Sequence, residues 1–350
     1  MLKKICVIGH FGFGENLSNG QTIKTKIITD ELCRRFGNGE VLKIDTHGGM
    51  KTLFKAPFQA MRALGKSKNV IILLAHNGLR VFAPLLVFLN HFFHRKLHYV
   101  VIGGWLPEFL RSRKRLAKKL KGFDGIYVET NTMKKALEEQ SFSNVIVMPN
   151  CKSLHILDES ELVYNTNEPY KLCTFSRVMR EKGIEDALNA VKEVNEKLGR
   201  TVYTLDIYGQ VDREQTEWFD NLQNNFPPYV KYMGVVPFDK SVDVLKNYFA
   251  LLFPTRFYTE GIPGTIIDAY AAGVPVISAK WESFDDIVEN NLTGIGYDFD
   301  STDSLTDLLS DIITSPQKIN DMKTQCISYA VKYLPNTAMD VLTNRLSETS

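Results

Sequence analysis

The sequence is poor in the residues that build cross-links and metal cages. Cysteine occurs five times, at Cys6, Cys33, Cys151, Cys173 and Cys326, an odd and scattered set without a C-x-x-C pair. That excludes a disulfide framework and a cysteine zinc site, and it suits a reducing compartment. Histidine and cysteine nowhere gather at metal-ligand spacing. Long apolar runs are missing too. The most apolar region, "VFAPLLVFLNHFF" at 81–93, falls short of the roughly 20 residues that a spanning helix needs. Met1 leads through two lysines into "ICVIG", too short a run for a signal peptide. Low-complexity segments and short internal repeats are absent. A soluble, cytoplasmic protein is the expectation.

What is present is an ordinary globular composition, 44% hydrophobic and 23% charged, in a chain of 350 residues. That length suffices for two domains, each with its own core. The net charge of +2 hides an asymmetry. Residues 1–165 hold 25 Lys and Arg against 13 Asp and Glu, a balance of +12, and the remainder holds 17 against 27, a balance of −10. A basic half joined to an acidic half points to two domains with different partners.

Short apolar runs alternate with helix-period segments throughout, the mark of parallel α/β units. Strands are expected at 3–9, 40–46, 69–75, 98–104, 125–130 and 144–150, with helices near 20–36, 54–65, 79–94, 108–121 and 131–140. The polar stretch "LDESELVYNTNEPY" (157–170) has no periodicity and reads as a linker. The alternation then restarts, with strands expected at 171–176, 203–209, 230–234, 250–255, 274–279 and 293–299. A helix after 315 reaches Tyr333, Pro335 interrupts it, and a last helix covers about 336–347. Two doubly wound domains in tandem follow, with ligands expected at the carboxyl ends of strands facing an interdomain cleft.

The stretch "EGIPGTIIDAYAAGVP" (260–275) is the most informative. A helix starts near Gly264 with Pro263 beside its first position, where a missing N–H loses nothing. The free amides of Gly264, Thr265 and Ile266 would meet a phosphate at the positive end of the helix dipole. Asp268, one turn in, is placed to reach a diol beside that phosphate, and Glu260, on the preceding loop, to reach hydroxyls on its other side. The plainer reading is that Glu260 caps the helix and Asp268 complements its dipole. In "FSRVMREKGIEDAL" (175–188), Arg177 follows a strand end and Lys182-Gly183 opens the next helix. Two cations there would neutralise a leaving diphosphate. Taken singly, each is also an ordinary solvated surface cation.

The order "FSR…EKGIEDAL", "LDIYG", "VKYMGVV" and "FPTRFYTEGIPGTIIDAYAAGVPVI" resembles the donor domain of GT-B glycosyltransferases, above all retaining glycosyltransferase family 4. Glu260 to Asp268 matches the family's E-x7-E motif, with Asp in the second acidic place. The match covers 171–300, and over 1–150 it rests on strand order and a few loops. The resemblance implies two Rossmann-like domains facing a cleft: an acceptor domain at 1–160, a nucleotide-sugar domain at 161–334, and a C-terminal helix at 335–350 crossing back to the first. It implies that Arg177 and Lys182 hold the diphosphate, that Glu260 contacts the transferred sugar, and that Asp268 contacts the ribose. Gly261, Ile262, Gly264 and Thr265 would line the donor, and Val235, Val236 and the strand end at Tyr208-Gly209 would border the base. Ser176 stands where family members often carry Gly. Asp268 is one methylene shorter than Glu, so its contact would shift or pass through water.

In the first domain, "FGFGENLSNGQTIKT" (11–25) lacks the G-x-G-x-x-G spacing of a dinucleotide fingerprint, although Asp45 does end the second strand. A loop over diphosphate and acceptor is preferred, with Asn19, Gly20 and Gln21 at its helix start. His76, at a strand end, resembles the family's cleft-lining histidine region. The family's second histidine is replaced by "GGW" (103–105). Asp298 and Asp300 form a literal D-x-D, read as helix capping, because GT-B enzymes usually dispense with metal. No cofactor is expected; the nucleotide sugar is a substrate.

The segment "PEFLRSRKRLAKKLKGFD" (107–124) is basic and amphipathic, with Leu110, Leu116 and Leu120 marking an apolar stripe. With "KTLFKAPFQAMRALGKSK" (51–68) it suggests an anionic membrane surface as a partner, peripheral on the inner face of the cell membrane. A solvated basic helix and a nucleic-acid surface are the alternatives, and nucleic acid is not favoured. The resulting expectation is a hexosyltransferase using a nucleotide diphosphate sugar, with UDP implied by family usage, and a saccharide or lipid-linked acceptor in cell-surface polysaccharide synthesis. A GT-B epimerase or hydrolase, a non-catalytic nucleotide-sugar binder and a dinucleotide oxidoreductase remain as rivals.

Overall fold

The computed structural model describes residues 2–15, 20–48 and 50–347, with only the backbone described at 50–53. The chain divides into two compact units, one of residues 1–153 and 333–350, the other of residues 154–332.

The first unit is a parallel sheet in the order β2-β1-β3-β4-β5-β6. Its strands are β1 (Lys3–Gly9), β2 (Val41–Asp45), β3 (Ser67–Leu73), β4 (Lys96–Val100), β5 (Gly125–Val128) and β6 (Val145–Val147). The strands are valine- and isoleucine-rich because both faces are covered; Ile5, Val7, Val70 and Ile71 are fully buried. One face carries α2 (Met50–Lys66), α3 (His76–Phe93), α4 (Leu106–Arg111), α5 (Lys114–Leu120) and α6 (Asn131–Glu138). The other carries α1 (Gly20–Phe36) and the chain's return, with Leu342 and Leu346 packed in the same core as Ile28 and Leu32. Arg35 fixes that return. Its guanidinium donates to Asp340 at 2.7 Å, to Thr343 Oγ1 at 2.7 Å and to the Asn336 carbonyl at 2.6 Å.

The second unit repeats the plan in the order β12-β11-β10-β7-β8-β9. Its elements are β7 (Tyr170–Phe175), α7 (Ile184–Leu198), β8 (Tyr203–Tyr208), α8 (Thr216–Gln223), β9 (Val230–Gly234), α9 (Ser241–Leu245) and β10 (Ala250–Phe253). They continue with α10 (Gly264–Ala271), β11 (Val276–Ala279), α11 (Phe284–Ile287), β12 (Gly294–Tyr297), α12 (Thr302–Thr314), α13 (Gln317–Asp321) and α14 (Lys323–Ala330). The sequence order reverses between β7 and β10, which lie side by side. Loops leaving two such strands diverge to opposite faces and open a crevice at the sheet's carboxyl edge. In the first unit the same reversal falls between β1 and β3.

Three sequence readings change. The stretch 157–170 is not a free linker but is fastened to the second unit. Leu157 N donates to the Ala271 carbonyl at 3.0 Å, Leu162 is buried beside Gly273, and Asn165 and Asn320 exchange hydrogen bonds. The helix expected through 315–333 divides at Met322 into α13 and α14. The basic segment 107–124 is two short helices, and its leucine stripe is spent internally: Leu110, Leu116 and Leu120 are all buried in the first unit's core.

Candidate functional site

The switch point of the second sheet brings Lys182 and Glu260 together. Lys182 closes a single 3-10 turn, Arg180–Lys182, and Gly183 follows at φ 66°. A Cβ on Gly183 would fall 1.8 Å from the Pro254 carbonyl oxygen, so only glycine lets the start of α7 lie against the end of β10. Two more contacts close the seam. Arg256 N donates to the Glu181 carbonyl at 2.9 Å, and the Arg256 guanidinium grips Asp186 with bonds of 2.8 and 2.6 Å. Lys182 Nζ is consequently ion-paired with Glu260 Oε1, with the two side chains 18% and 14% exposed. The ammonium also lies 5.0 Å from the Phe257 ring centroid and 5.7 Å from that of Phe253. Aromatic faces stabilise a cation without consuming its hydrogen bonds.

Glu260 is followed by Gly261 and Ile262, both buried, and Pro263 introduces α10. Two of the three amides expected to be free at this helix start are free among the described residues, those of Gly264 and Thr265. Ile266 N is not: it donates to the Pro263 carbonyl at 3.1 Å, because the turn tightens as the helix begins. The Thr265 hydroxyl is buried without a hydrogen-bond partner. A buried unpartnered hydroxyl is unfavourable by about 1–3 kcal/mol, which a bound oxygen would relieve. Asp268 is buried, at 3% exposure, on the second turn, so a diol would meet only an edge of its carboxylate.

The remaining residues of the second unit are arranged more loosely. Arg177 is 56% exposed and makes a long 3.4 Å contact with Asp212. Tyr208 turns into the core, its hydroxyl 2.8 Å from that of Tyr248, which donates to Asp206 at 2.7 Å. The backbone of this strand end is also occupied. Ser176 N donates to the Tyr208 carbonyl at 3.1 Å, Gly209 N to the Gly234 carbonyl at 2.9 Å, and Tyr232 OH to the Gly209 carbonyl at 2.8 Å. A base at Tyr208-Gly209 would therefore find the Gly209 amide already spent, with only a second lone pair on each of these carbonyl oxygens to use. Gly209 itself is required, since a Cβ there would lie 1.7 Å from the Ser176 carbonyl oxygen. At the end of β9 and just after it, Met233, Val235 and Phe238 are exposed, Val236 less so, giving an apolar rim on which a planar ring can lie. Neither aspartate of the D-x-D caps α12; Ser301 does, accepting from Ser304 N at 3.2 Å. Asp300 faces Arg256 at 3.8 Å.

In the first unit, His76 opens α3. Its ring centroid lies 3.8 Å from that of Trp105, the residue standing in the "GGW" stretch, and 4.9 Å from that of Phe109. Arg113 lies 3.9 Å above the Phe109 ring. Burial, and after it the charge of Arg113, hold the His76 pKa below its ordinary value, so the ring is neutral at physiological pH. Asn19 lies outside the described residues; Gly20 and Gln21 form the first turn of α1, where the Gln21 carbonyl accepts from Thr25 Oγ1 at 2.8 Å. Asp45 is committed to the glycine loop, accepting from the amides of Phe11, Phe13 and His47, each at 2.9 Å. That explains an acid at this strand end without a ribose. Beside it runs a hydrogen-bonded chain that no motif announced: Thr22 to His10 at 2.8 Å, His10 to His47 at 3.0 Å, His47 to Glu15 at 3.1 Å.

Two parallel six-stranded sheets, each flanked by helices, and a charged pair at the second switch point define a protein of the GT-B fold class. Comparison with known proteins adds relatives. Residues 169–315 match the family model described as glycosyl transferases group 1. The amylovoran biosynthesis glycosyltransferase AmsK of Erwinia amylovora is 25% identical over 133 residues, 37% of this chain and 32% of that one. The GtfA subunit of the UDP-N-acetylglucosamine–peptide N-acetylglucosaminyltransferase of Streptococcus agalactiae is 27% identical over 176 residues, 49% of this chain and 33% of that one. The match thus spans about a third of the length of these curated relatives. Among solved structures, HepE of Anabaena, in complex with UDP and glucose, superposes with a TM-score of 0.73 at 14% identity, over 99% of this chain and 100% of that one.

Proposed function

We propose that the protein is a retaining glycosyltransferase of the family 4 type. It moves a hexose from a UDP-linked donor to a saccharide or lipid-linked saccharide, in cell-surface polysaccharide synthesis at the inner face of an anionic membrane. The Lys182–Glu260 pair carries this reading. It sets a cation for a phosphate and a carboxylate for sugar hydroxyls within one hydrogen bond of each other, which matches the junction of diphosphate and sugar in a single donor. UDP is favoured by the relatives: HepE was solved with UDP and glucose, and GtfA is named for a UDP-sugar reaction.

In this reading the bond from the anomeric carbon to the β-phosphate oxygen breaks toward the diphosphate. The acceptor oxygen bonds on the same face, and its proton passes to the departing phosphate. Lys182, Arg177 and the free amides of Gly264 and Thr265 neutralise the charge that develops, in a partly desolvated site where such groups act most strongly. The counter-charge comes from the protein, so the transfer is metal-independent. Glu260 orients the hexose, Asp268 meets the ribose edge, and the Val235–Val236 rim carries the base. His76 is assigned to the acceptor on the resemblance. Holding both reactants in register supplies much of the acceleration.

Thermal unfolding with a panel of nucleotide sugars tests the reading. A UDP-hexose at about 100 times its Kd should add about 2.7 kcal/mol of stability, with GDP- and CDP-sugars doing less. A panel that leaves the melting temperature unmoved sinks the donor site. Donor consumption without an acceptor would make the protein an epimerase or hydrolase instead.

A further inference from the structure

Helix α2 is built inside out. Its inward face is small: Ala56, Ala60 and Ala63 pack with Leu64 into the core of the first unit. Two phenylalanines and a methionine point away from that core, with Phe54 85% exposed, Phe58 71% and Met61 51%. The spacing of four and three residues puts all of them on one face. Helix α3, packed against α2 on the same side of the sheet, exposes Phe88 and Phe92 one turn apart, with ring centroids 6.5 Å apart. Isolated exposed apolar residues need no explanation, but such a set on two adjoining helices does. No helix among the described residues is long and apolar enough to cross a membrane.

The surroundings are cationic. Residues 46–107 contain no Asp or Glu. Where α3 meets α5, a groove of about 640 Å³ is lined by Arg80, Arg111, Arg113, Lys114, Arg115 and Lys119. Arg111 is paired with Glu108 at 2.7 Å, whereas Arg80, Lys114, Arg115 and Lys119 make no ion pair among the described residues.

We infer that the outer face of α2, α3 and α5 inserts into the interfacial layer of an anionic phospholipid leaflet. The five apolar side chains enter the acyl boundary while the groove's cations hold lipid phosphates. This rests on the membrane-surface reading above and gives it a location and a mode. Charge chooses the occupant: a second copy docked face to face would set these cations against their own kind. The leucines of α5 are buried, so insertion belongs to the phenylalanines and the basic helix supplies the headgroup contacts.

The test uses the full chain and phosphatidylcholine vesicles with or without phosphatidylglycerol, at low and high salt. Charge contacts fade once screening shortens to about 3 Å at 1 M salt, but apolar insertion does not. Binding to phosphatidylglycerol vesicles should therefore persist in part at high salt. Phe54→Ser with Phe58→Ser should lower that residual binding by roughly tenfold or more, since a buried aromatic contributes at least that factor. The melting temperature should hold, because both side chains are already exposed. Phe58→Trp should shift its emission to the blue on vesicles, and Arg80→Glu with Lys114→Glu should abolish the preference for phosphatidylglycerol. Binding that salt removes and the serine variant leaves alone overturns insertion while keeping surface docking. No binding to any vesicle overturns both. A dimer in solution that the serine variant dissolves would make this face a contact between protein copies and overturn the inference.

Discussion

Gly183 lies against the Pro254 carbonyl where no other residue could stand at 183: a Cβ there would fall 1.8 Å from that oxygen. This contact docks the start of α7 onto the end of β10 and so sets Lys182 beside Glu260. Gly183→Ala should destabilise the second unit by at least about 2 kcal/mol, from left-handed strain plus the displaced backbone. Urea unfolding measures it. A variant as stable as the parent, with donor affinity unchanged, would mean that the seam yields freely and does not position the pair.

Lys182 and Arg177 differ in restraint, and their variants should differ too. Lys182 is largely buried, ion-paired and flanked by two rings, whereas Arg177 is mostly exposed with one long contact. Lys182→Ala should lower kcat at least about 100-fold, as expected for one preorganised stabiliser. Arg177→Ala should reduce kcat less, because its side chain must first be ordered by the diphosphate. Steady-state kinetics with the preferred donor decides. Equal losses would show that Arg177 is held as firmly as Lys182 once donor is bound, and near-parental kcat for Lys182→Ala would remove that lysine from the site.

The two acids should separate by ligand. Glu260→Gln keeps a hydrogen-bonding group but removes the counter-charge of Lys182, so transfer should fall while affinity for free UDP holds or rises. Asp268→Asn should weaken UDP itself. Titration calorimetry with UDP on both variants distinguishes them. If Glu260→Gln loses as much UDP affinity as Asp268→Asn, the assignment of sugar and ribose is reversed or wrong.

Much of this was legible in the sequence, and the rest was hidden for physical reasons. The strands could be placed because runs such as "ICVIG" and "VIILLA" are apolar throughout, as strands covered on both faces must be. Lys182, Glu260 and the start of α10 were visible because glycine and proline mark where a chain must turn. The pairing of Lys182 with Glu260 was not, since the two residues are 78 positions apart and meet because β7 and β10 lie side by side. Phe257 escaped notice because an aromatic near an acid has no spacing signature. Periodicity misled at 107–124. It reports that a helix has two faces, but not which face the core takes. The small residues of α2 turned inward, and the leucines of α5 were consumed by the core.

His98 provides a pH test independent of ligand. It is a buried residue of β4, with Nε2 3.4 Å from Asn69 Oδ1 and Nδ1 3.2 Å from the Tyr127 hydroxyl. Asn69 turns its amide nitrogen to the Lys4 carbonyl, at 3.2 Å. Its Oδ1 therefore accepts from His98 Nε2–H, and Tyr127 donates to Nδ1, a pattern that the neutral ring satisfies. Burial is the main cause that lowers the His98 pKa from 6.5 to about 4; Asp124 raises it, and Arg345 and Lys96 lower it further. The folded pKa lies below the unfolded one, so this contribution is complete above pH 6.5 and is lost as pH falls toward 4. The loss amounts to about 3 kcal/mol by pH 4, at about 1.4 kcal/mol per unit. Unfolding free energies measured in urea between pH 7 and pH 4 should show that decline in the parent. In His98→Gln, which can give and accept the same two bonds without titrating, the decline should shrink by a similar amount. Parallel pH profiles for parent and variant would show that water or local opening accommodates the charged ring.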